Sequence, residues 1–557
     1  GEVYNFREIA DELGLINLKT KSDTEIILLA FEKIGTLLFE KLNGMFSIAI
    51  YDRFESRMWL VRDRIGIKPL YVFNDDASFI FSSEIKGITA FPAQNVGRVN
   101  ECALHEWSYY GNSLGERTLY KNISKVLPGH YVEINTENFT HDVICYWSIK
   151  KQLDRVPPNK NVSYDDSLIE KTRSCLESAV KRQLVSDVPV SVFLSGGIDS
   201  SAITAFASKH YQGKLKTFSV AFDYNLENNE LQKAKLVADK FGTDHNELHI
   251  SGSNVADIVE KMVYHNDSPF SDAANIPLYL LCEEIKDETK VVLQGDGGDE
   301  LFGGYQRYFT LAKLPWMRPL SQAGNIANKL LPKNADYFRR ERYFNALLAN
   351  SDAEIMALLL TVEQRKYSPL RMFSDDVINR IANTDPFIRY REVEQTFSGF
   401  PIIDKMFYVD KSIILPDIFL EKVDKATMAS SIEVRVPFLD NELVDFCLSL
   451  PAKIKIKNGI QKGLLKRSLE GIVPNEILYG KKMGFGVPFE YWIKTSLFEL
   501  LNDHLSGFYK KYPNILSAKR ISTLIFEHSS GKKDNGFLLW KLLNFVIWAN
   551  NNNLEFS

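Results

Sequence analysis

Ser195, Ser200 and Ser201 flank a glycine pair in the run Ser195-Gly196-Gly197-Ile198-Asp199-Ser200-Ser201. Hydroxyls supply hydrogen-bond donors, and glycines let a backbone come close to a ligand. That mixture suits an anion such as a phosphate chain. Asp199 is the odd member. A carboxylate beside phosphates is repulsive unless a cation lies between them, so it points to Mg²⁺. A second run, Gln294-Gly295-Asp296-Gly297-Gly298-Asp299-Glu300, is equally rich in glycine and acid. Asp199 and Asp299 can share one Mg²⁺ on a triphosphate.

Such side chains need rigid elements behind them. The stretch before Ser195 is apolar and β-branched, and Ala202, Ile203, Ala205 and Phe206 follow at helical spacing. The pattern predicts a buried parallel strand, a tight turn and a helix. The turn then sits at a helix N-terminus, where unpaired N–H groups and partial positive charge favour anions. Further strands are expected at Lys216–Phe222, Asp244–Ile250 and Lys290–Leu293, with a helix at Glu230–Phe241 ended by Gly242. Strands alternating with helices imply a doubly wound parallel sheet, with ligands beyond the C-terminal strand ends. The turn is not a Walker loop, because no Gly-Lys-Ser/Thr follows. It resembles the pyrophosphate loop of ATP pyrophosphatases, which adenylate a substrate and release pyrophosphate.

A chain of 557 residues should hold two or more domains. A net charge of −4 leaves no polybasic footprint for nucleic acid or an anionic membrane. No apolar run is long enough to span a bilayer, and the start carries no secretory signal. Cys102, Cys145, Cys175, Cys282 and Cys447 are scattered and odd in number, which suits a reducing cytoplasm. Each reads as a small buried apolar residue. The histidines are taken to form no transition-metal site.

The N-terminal part is β-rich. Ser22 or Asp23 is a candidate N-cap, with Glu25 as capping-box partner, before the apolar helical run Ile26–Phe39. Short strands follow at 44–52, 58–63, 70–73 and 79–83. Gly1-Glu2-Val3-Tyr4-Asn5, Ser22-Asp23-Thr24-Glu25, Leu42-Asn43-Gly44-Met45-Phe46 and Arg62-Asp63-Arg64-Ile65-Gly66-Ile67-Lys68-Pro69-Leu70 occur in this order. Together they resemble the second half of the glutaminase domain of class II glutamine amidotransferases. The resemblance implies a four-layer αββα sandwich, with glutamine held at Gly1, Glu2 and Asp23. A carboxylate pair can grip the α-ammonium of an amino acid. The family's nucleophilic Cys, carboxylate-binding Arg and oxyanion-hole Asn lie upstream of Gly1. The chain as it stands is therefore expected not to hydrolyse glutamine, and reads as a truncated product.

Three more stretches complete the pattern: Glu421–Asp440, the run Asn458–Arg467 with Lys462 in it, and Lys481–Pro488, which reads as a mobile Gly-rich loop near the site. Ala312–Leu420 reads as helix-rich, and Leu538–Trp548 as an amphipathic core helix. The order of all these motifs resembles asparagine synthetases of the glutamine-hydrolysing type, over nearly the whole chain. The resemblance implies an αββα-sandwich glutaminase-like domain at 1–150, a linker at 151–163, and an ATP-pyrophosphatase domain with a helical C-terminal part at 164–557. It implies ATP and Mg²⁺ across Leu194–Ser201, Val220 and Gln294–Gly295, with Lys462 neutralising charge as pyrophosphate leaves. Asp296 occupies the position of a proposed general base for ammonia attack. The best-known members carry Glu there, one methylene longer.

The acceptor side departs from that family. Where its well-known members hold aspartate with Thr-Thr-x-Arg, this chain has Phe270-Ser271-Asp272-Ala273-Ala274-Asn275. The missing Arg removes a bidentate carboxylate clamp. Aspartate, amidated with ammonia or glutamine nitrogen, is the expected acceptor. Another small carboxylate such as a sugar uronate is the alternative, and a non-catalytic ATP-binding subunit is a further one. A homodimer is in keeping with the resemblance.

Overall fold

Period-2 patterning splits each strand of the N-terminal part between two layers. The computed structural model describes residues 1–556 except 76, 93–95, 223–228, 251–253, 332–334, 362–368 and 481–486. A short pair, β1 (Glu2–Val3) and β2 (Gly44–Met45), precedes β3 (Ser47–Asp52), β4 (Arg57–Arg62), β5 (Tyr71–Asn74), β6 (Phe79–Ser82), β7 (Ile123–Lys125), β8 (His130–Asn135) and β9 (His141–Cys145). These form an antiparallel sheet β3-β4-β8-β9 and a smaller one, β6-β5-β7. Leu60, Val132 and Ile134 of the first sheet pack with Val72 and Phe79 of the second. Trp59, on the other face of β4, meets Phe31 of the helix Asp23–Ile34. Tyr71 and Phe73 turn away from the first sheet, into a cluster with Trp107 of the helix Glu101–Tyr110. The order helix, sheet, sheet, helix is the expected αββα sandwich.

Ser22 caps its helix by accepting from the Thr24 N–H at 3.2 Å. Glu25 does not close a capping box. It reaches back to the Lys19 N–H at 2.8 Å and the Thr20 N–H at 2.6 Å, donors of the preceding turn. The polar connector starts with a helix, Ile149–Arg155, capped by Ser148.

The second sheet system is β10 (Val190–Phe193), β11 (Lys216–Phe222), β12 (Asp244–Ile250), β13 (Val291–Leu293) and β14 (Glu433–Arg435), in the order β12-β11-β10-β13-β14. Every pairing is parallel. All of β10 and β13 is buried, as a strand covered on both faces requires. From β10 the chain winds outward to β11 and β12, then crosses back to β13 on the other side. The order reverses between β10 and β13, which opens a crevice at their C-terminal ends. His245 and His249 are four residues apart but lie on β12. Strand geometry separates them by roughly 13 Å, too far for one metal ion.

The described residues between 312 and 420 are mostly helical, as expected. The closing helix, Gly536–Asn551, is buried on all sides from Leu538 to Ala549, not on one face only. Its ring of neighbours explains this. Trp107 from the N-terminal sandwich, Ile258 and Met262 from the helix Val255–Asn266, and Phe508 share its cluster. Of the cysteines, Cys175, Cys282 and Cys447 are buried, but Cys102 is exposed. No helix among the described residues is long and apolar enough to cross a membrane.

Candidate active site

The crevice between β10 and β13 holds a cavity of about 370 Å³. Phe193, Val220, Pro277, Leu278 and Leu281 line it with apolar surface. Ser195, Asp199, Ser200, Asp296, Asp299 and Lys422 line it with polar groups. One side thus suits a flat apolar ring and the other a charged chain.

Local geometry fixes the serine loop. β10 ends at Phe193, and the helix Ile198–His210 begins with Gly197 as its N-cap. Ser200 Oγ accepts from the Ser195 N–H at 3.2 Å, and the two hydroxyl oxygens lie 3.1 Å apart. Gly196 has φ +69°, and a Cβ there would sit 2.8 Å from the Ala234 backbone nitrogen. No other residue fits that turn without moving the helix Asn229–Phe241. Leu194 is tied into the sheet: its N–H donates to Phe218 O at 2.8 Å, and its carbonyl accepts from Ser219 Oγ.

The acidic loop packs onto the serine loop. A Cβ at Gly295 would lie 2.8 Å from Asp199 Cβ, and one at Gly298 would lie 2.5 Å from Asp199 Oδ1. These glycines let the two loops close on each other. Lys462 then bridges them, with its Nζ 2.5 Å from Asp199 Oδ2 and 2.6 Å from Asp299 Oδ1. Burial alone would lower the Lys462 pKa, but Asp199 and Asp299 outweigh it and hold the ammonium raised above the usual lysine range. The lysine adopts φ +53° at the start of the helix Gly463–Ser468, which directs a chain from the far end of the sequence into the loops.

Of the residues singled out from sequence, Ser195, Gly197, Asp199, Ser200, Val220, Gln294, Gly295, Asp296 and Asp299 line one cavity. Lys462 touches two of them. Leu194, Gly196 and Ser201 stand behind that wall; Ser201 is fully buried. Gly1, Glu2 and Asp23 sit apart, in the N-terminal sandwich. Asp23 accepts from the Val3 N–H at 3.1 Å, and Glu2 forms an ion pair with Arg435 at 3.3 Å. Burial raises the Glu2 pKa, and Arg435 opposes the shift. Residues 481–486 of the Gly-rich loop lie outside the described residues.

Three groups that line the cavity receive no role from the sequence. Lys422, from the helix Glu421–Met428, reaches the cavity and forms an ion pair with Asp272 at 3.0 Å. Burial raises the Asp296 carboxyl, with Lys422 opposing. Glu300 and Tyr305 line the cavity together, Tyr305 Oη donating to Glu300 Oε1 at 2.5 Å. Acid and Tyr are five apart in a motif-rich run, which is the one signal that marks them.

Burial, and then Asp299, push Glu300 up to about 7. Its native value lies above the ordinary one, so the folded state keeps a proton that the unfolded state releases first. Stability is expected to fall as pH rises from about 4.5 to about 7, by at most about 3 kcal/mol. Glu300→Gln should flatten that part of the pH–stability curve in thermal melts. An unchanged slope would mean that Glu300 is ionised in the native state throughout.

The described residues contain no group of three or more His, Cys, Asp or Glu that could hold a metal ion. Asp199 and Asp299 lie close enough for both to reach Lys462 Nζ, so the site offers two neighbouring carboxylates beside that ammonium. That donor set fits Mg²⁺, which commonly takes one or two carboxylates and completes its shell with phosphate oxygens and water.

Residues 171–550 match the family model described as asparagine synthase, more than half of the chain. The chain belongs to the asparagine synthase family. Residues 1–147 match the glutamine amidotransferase domain model. Asparagine synthetase [glutamine-hydrolyzing] 1 of Bacillus subtilis (strain 168) is 32% identical over 98% of this chain and 84% of its own length. Asparagine synthetase [glutamine-hydrolyzing] 3 of the same organism is 29% identical over 86% of this chain and 74% of its own length. Both asparagine synthase family relatives span the two parts of the chain, as the motif order implies.

Proposed function

We propose that this chain makes asparagine from aspartate, with ATP and with nitrogen from glutamine or ammonia. The observation that carries the reading is the meeting of three distant segments, Ser195–Ser201, Gln294–Glu300 and Lys462, at the sheet's switch point in a chain of this family. An aspartate side-chain oxygen attacks the α-phosphorus of ATP. The α–β phosphoanhydride bond breaks and pyrophosphate leaves, giving an acyl-adenylate. Ammonia then attacks the acyl carbon, the C–O bond to AMP breaks, and a proton passes to a base.

The chain's own groups serve these steps. The Ser195 and Ser200 hydroxyls and the helix N-terminus at Gly197 receive the phosphates. Phe193, Val220 and Leu281 flank the base. Mg²⁺, when held by Asp199 and Asp299, neutralises phosphate charge. Lys462 supplies a fixed positive charge where the leaving group gains its negative one. Asp296, raised by burial, is suited to take the proton from ammonia. Glu2 and Asp23 would grip glutamine. Unpaired thiols accord with a cytoplasmic enzyme.

The test is pyrophosphate release from ATP and Mg²⁺ with aspartate and ammonium. Release that requires aspartate is expected, with ammonium needed for sustained turnover and asparagine and AMP then formed in equal amounts. Release without aspartate, or none at all, would overturn the reading.

A further inference from the structure

The stretch Phe270–Asn275 lacks the arginine expected to hold the acceptor, yet a cation does reach the cavity there. Lys422 Nζ lies 3.0 Å from Asp272 Oδ2. Both side chains are largely buried, at 14% and 25% exposure. Lys422 lines the 370 Å³ cavity, and Asp272 lines an adjoining one of about 280 Å³. Ala274 and Phe419 line both cavities, so the ion pair stands where the two meet. Burial pulls the Lys422 ammonium down, but Asp272, Asp296 and Glu300 outweigh it and keep the lysine charged.

We propose that Asp272 and Lys422 form the acceptor subsite and select an amino-acid zwitterion: Lys422 takes the α-carboxylate and Asp272 the α-ammonium. The assignment rests on the asparagine-forming reading above. The physical argument is one of replacement. A ligand carboxylate that takes Lys422 draws the cation away from Asp272. A buried carboxylate left without its cation is costly. A zwitterion brings its own ammonium to Asp272 and restores the balance. A plain carboxylate, a uronate included, does not. The ammonium and carboxylate of an α-amino acid are adjacent, and so are their two receptors. The ligand's third group, its side-chain carboxylate, then extends along the cavity that Lys422 shares with Ser195 and Asp199. Lys422 and Asp272 are positioning residues in this scheme, since neither is placed at the reacting atoms.

Pyrophosphate release with ATP, Mg²⁺ and ammonium is measured for three acceptors: aspartate, succinate without the α-ammonium, and 3-aminopropanoate without the α-carboxylate. The wild-type protein is expected to prefer aspartate strongly. Asp272→Asn should lower the preference for aspartate over succinate by about 10–100-fold. Lys422→Met should do the same for aspartate over 3-aminopropanoate, and Lys422→Arg should restore most of it. The KM for ATP should stay within a few-fold in all three. A pair that merely braces the fold would lower the melting temperature and leave both ratios unchanged, and that result overturns the subsite. No release from wild-type protein with aspartate would instead overturn the functional reading, and the subsite with it.

Discussion

Replacing Lys462 by methionine is expected to lower kcat for pyrophosphate release about a thousandfold, with a much smaller change in the KM for ATP. The lysine is buried and touches both Asp199 and Asp299. Its charge is fixed in place before reaction, so no reorganisation is needed as the leaving pyrophosphate becomes more negative. Removing one such donor from a preorganised site typically costs 10²–10³ in kcat. A full charge on a buried side chain belongs at or above the upper end of that range. The loss should fall on kcat because the negative charge grows in the transition state. The same variant leaves two carboxylates facing each other without their ammonium. Mg²⁺ should therefore raise the melting temperature of Lys462→Met more than that of the wild type. If Lys462 were only a structural bridge, saturating Mg²⁺ would replace it and kcat would recover to within a few-fold. That recovery is the result that would refute the role.

Much of this site is legible in the sequence because its signals are local. An apolar strand must be followed by a turn, and only glycine fits φ +69° against a neighbouring helix at Gly196. The short run from Phe193 to Ser201 thus carries a strand end, a turn and a helix start. Lys422 shows the opposite case. It is one lysine in a helix of mixed charge, and its partner Asp272 is 150 residues away. Nothing in the spacing joins them. The contacts between the two parts of the chain are hidden in the same manner. The short stretch Asp417–Lys425 sends Asp424 to Lys68 at 2.8 Å and Glu421 to Lys125 at 2.9 Å, both in the N-terminal sandwich. From its other face Lys422 enters the cavity. Nothing local to such a stretch shows what its charges meet. Its burial follows only from two domains closing on it. The closing helix misleads for the same reason: its polar residues Lys541 and Asn544 suggest a wet face, but Lys541 donates to Ser108 O and Asn544 to Trp540 O.

Arg435→Met is expected to destabilise the protein by about 3–5 kcal/mol, the usual cost of removing one partner from a buried charge network. Arg435 is 2% exposed and ends β14. Its Nε donates to Glu433 Oε1 at 2.9 Å, and a second nitrogen lies 3.3 Å from Glu2 Oε2. A third donates to Gln183 O at 3.0 Å and to Val185 O at 2.5 Å. Those carbonyls belong to the last residue of the helix Asp166–Gln183 and to a residue just beyond it, where a carbonyl has no intrahelical donor. One planar guanidinium thus closes a helix end, an edge strand and a residue of the N-terminal sandwich at once. Methionine fills the space and satisfies none of them. Lysine keeps the charge but lacks the fork of donors, so Arg435→Lys should recover only part of the loss. A chain of this size need not unfold in one step, so a single unfolding free energy is a poor readout. Hydrogen exchange resolves the effect by segment. Protection should fall in β13, β14 and the end of the helix Asp166–Gln183, and the β10 amides should change less. Glu2→Gln should cost far less, because Glu2 is 27% exposed and water can replace its partner. Protection in β14 reduced by less than about tenfold in Arg435→Met, near 1.4 kcal/mol, would show that the carbonyls at 183 and 185 find other donors. The guanidinium would then be a packing element and not the pin between the two halves.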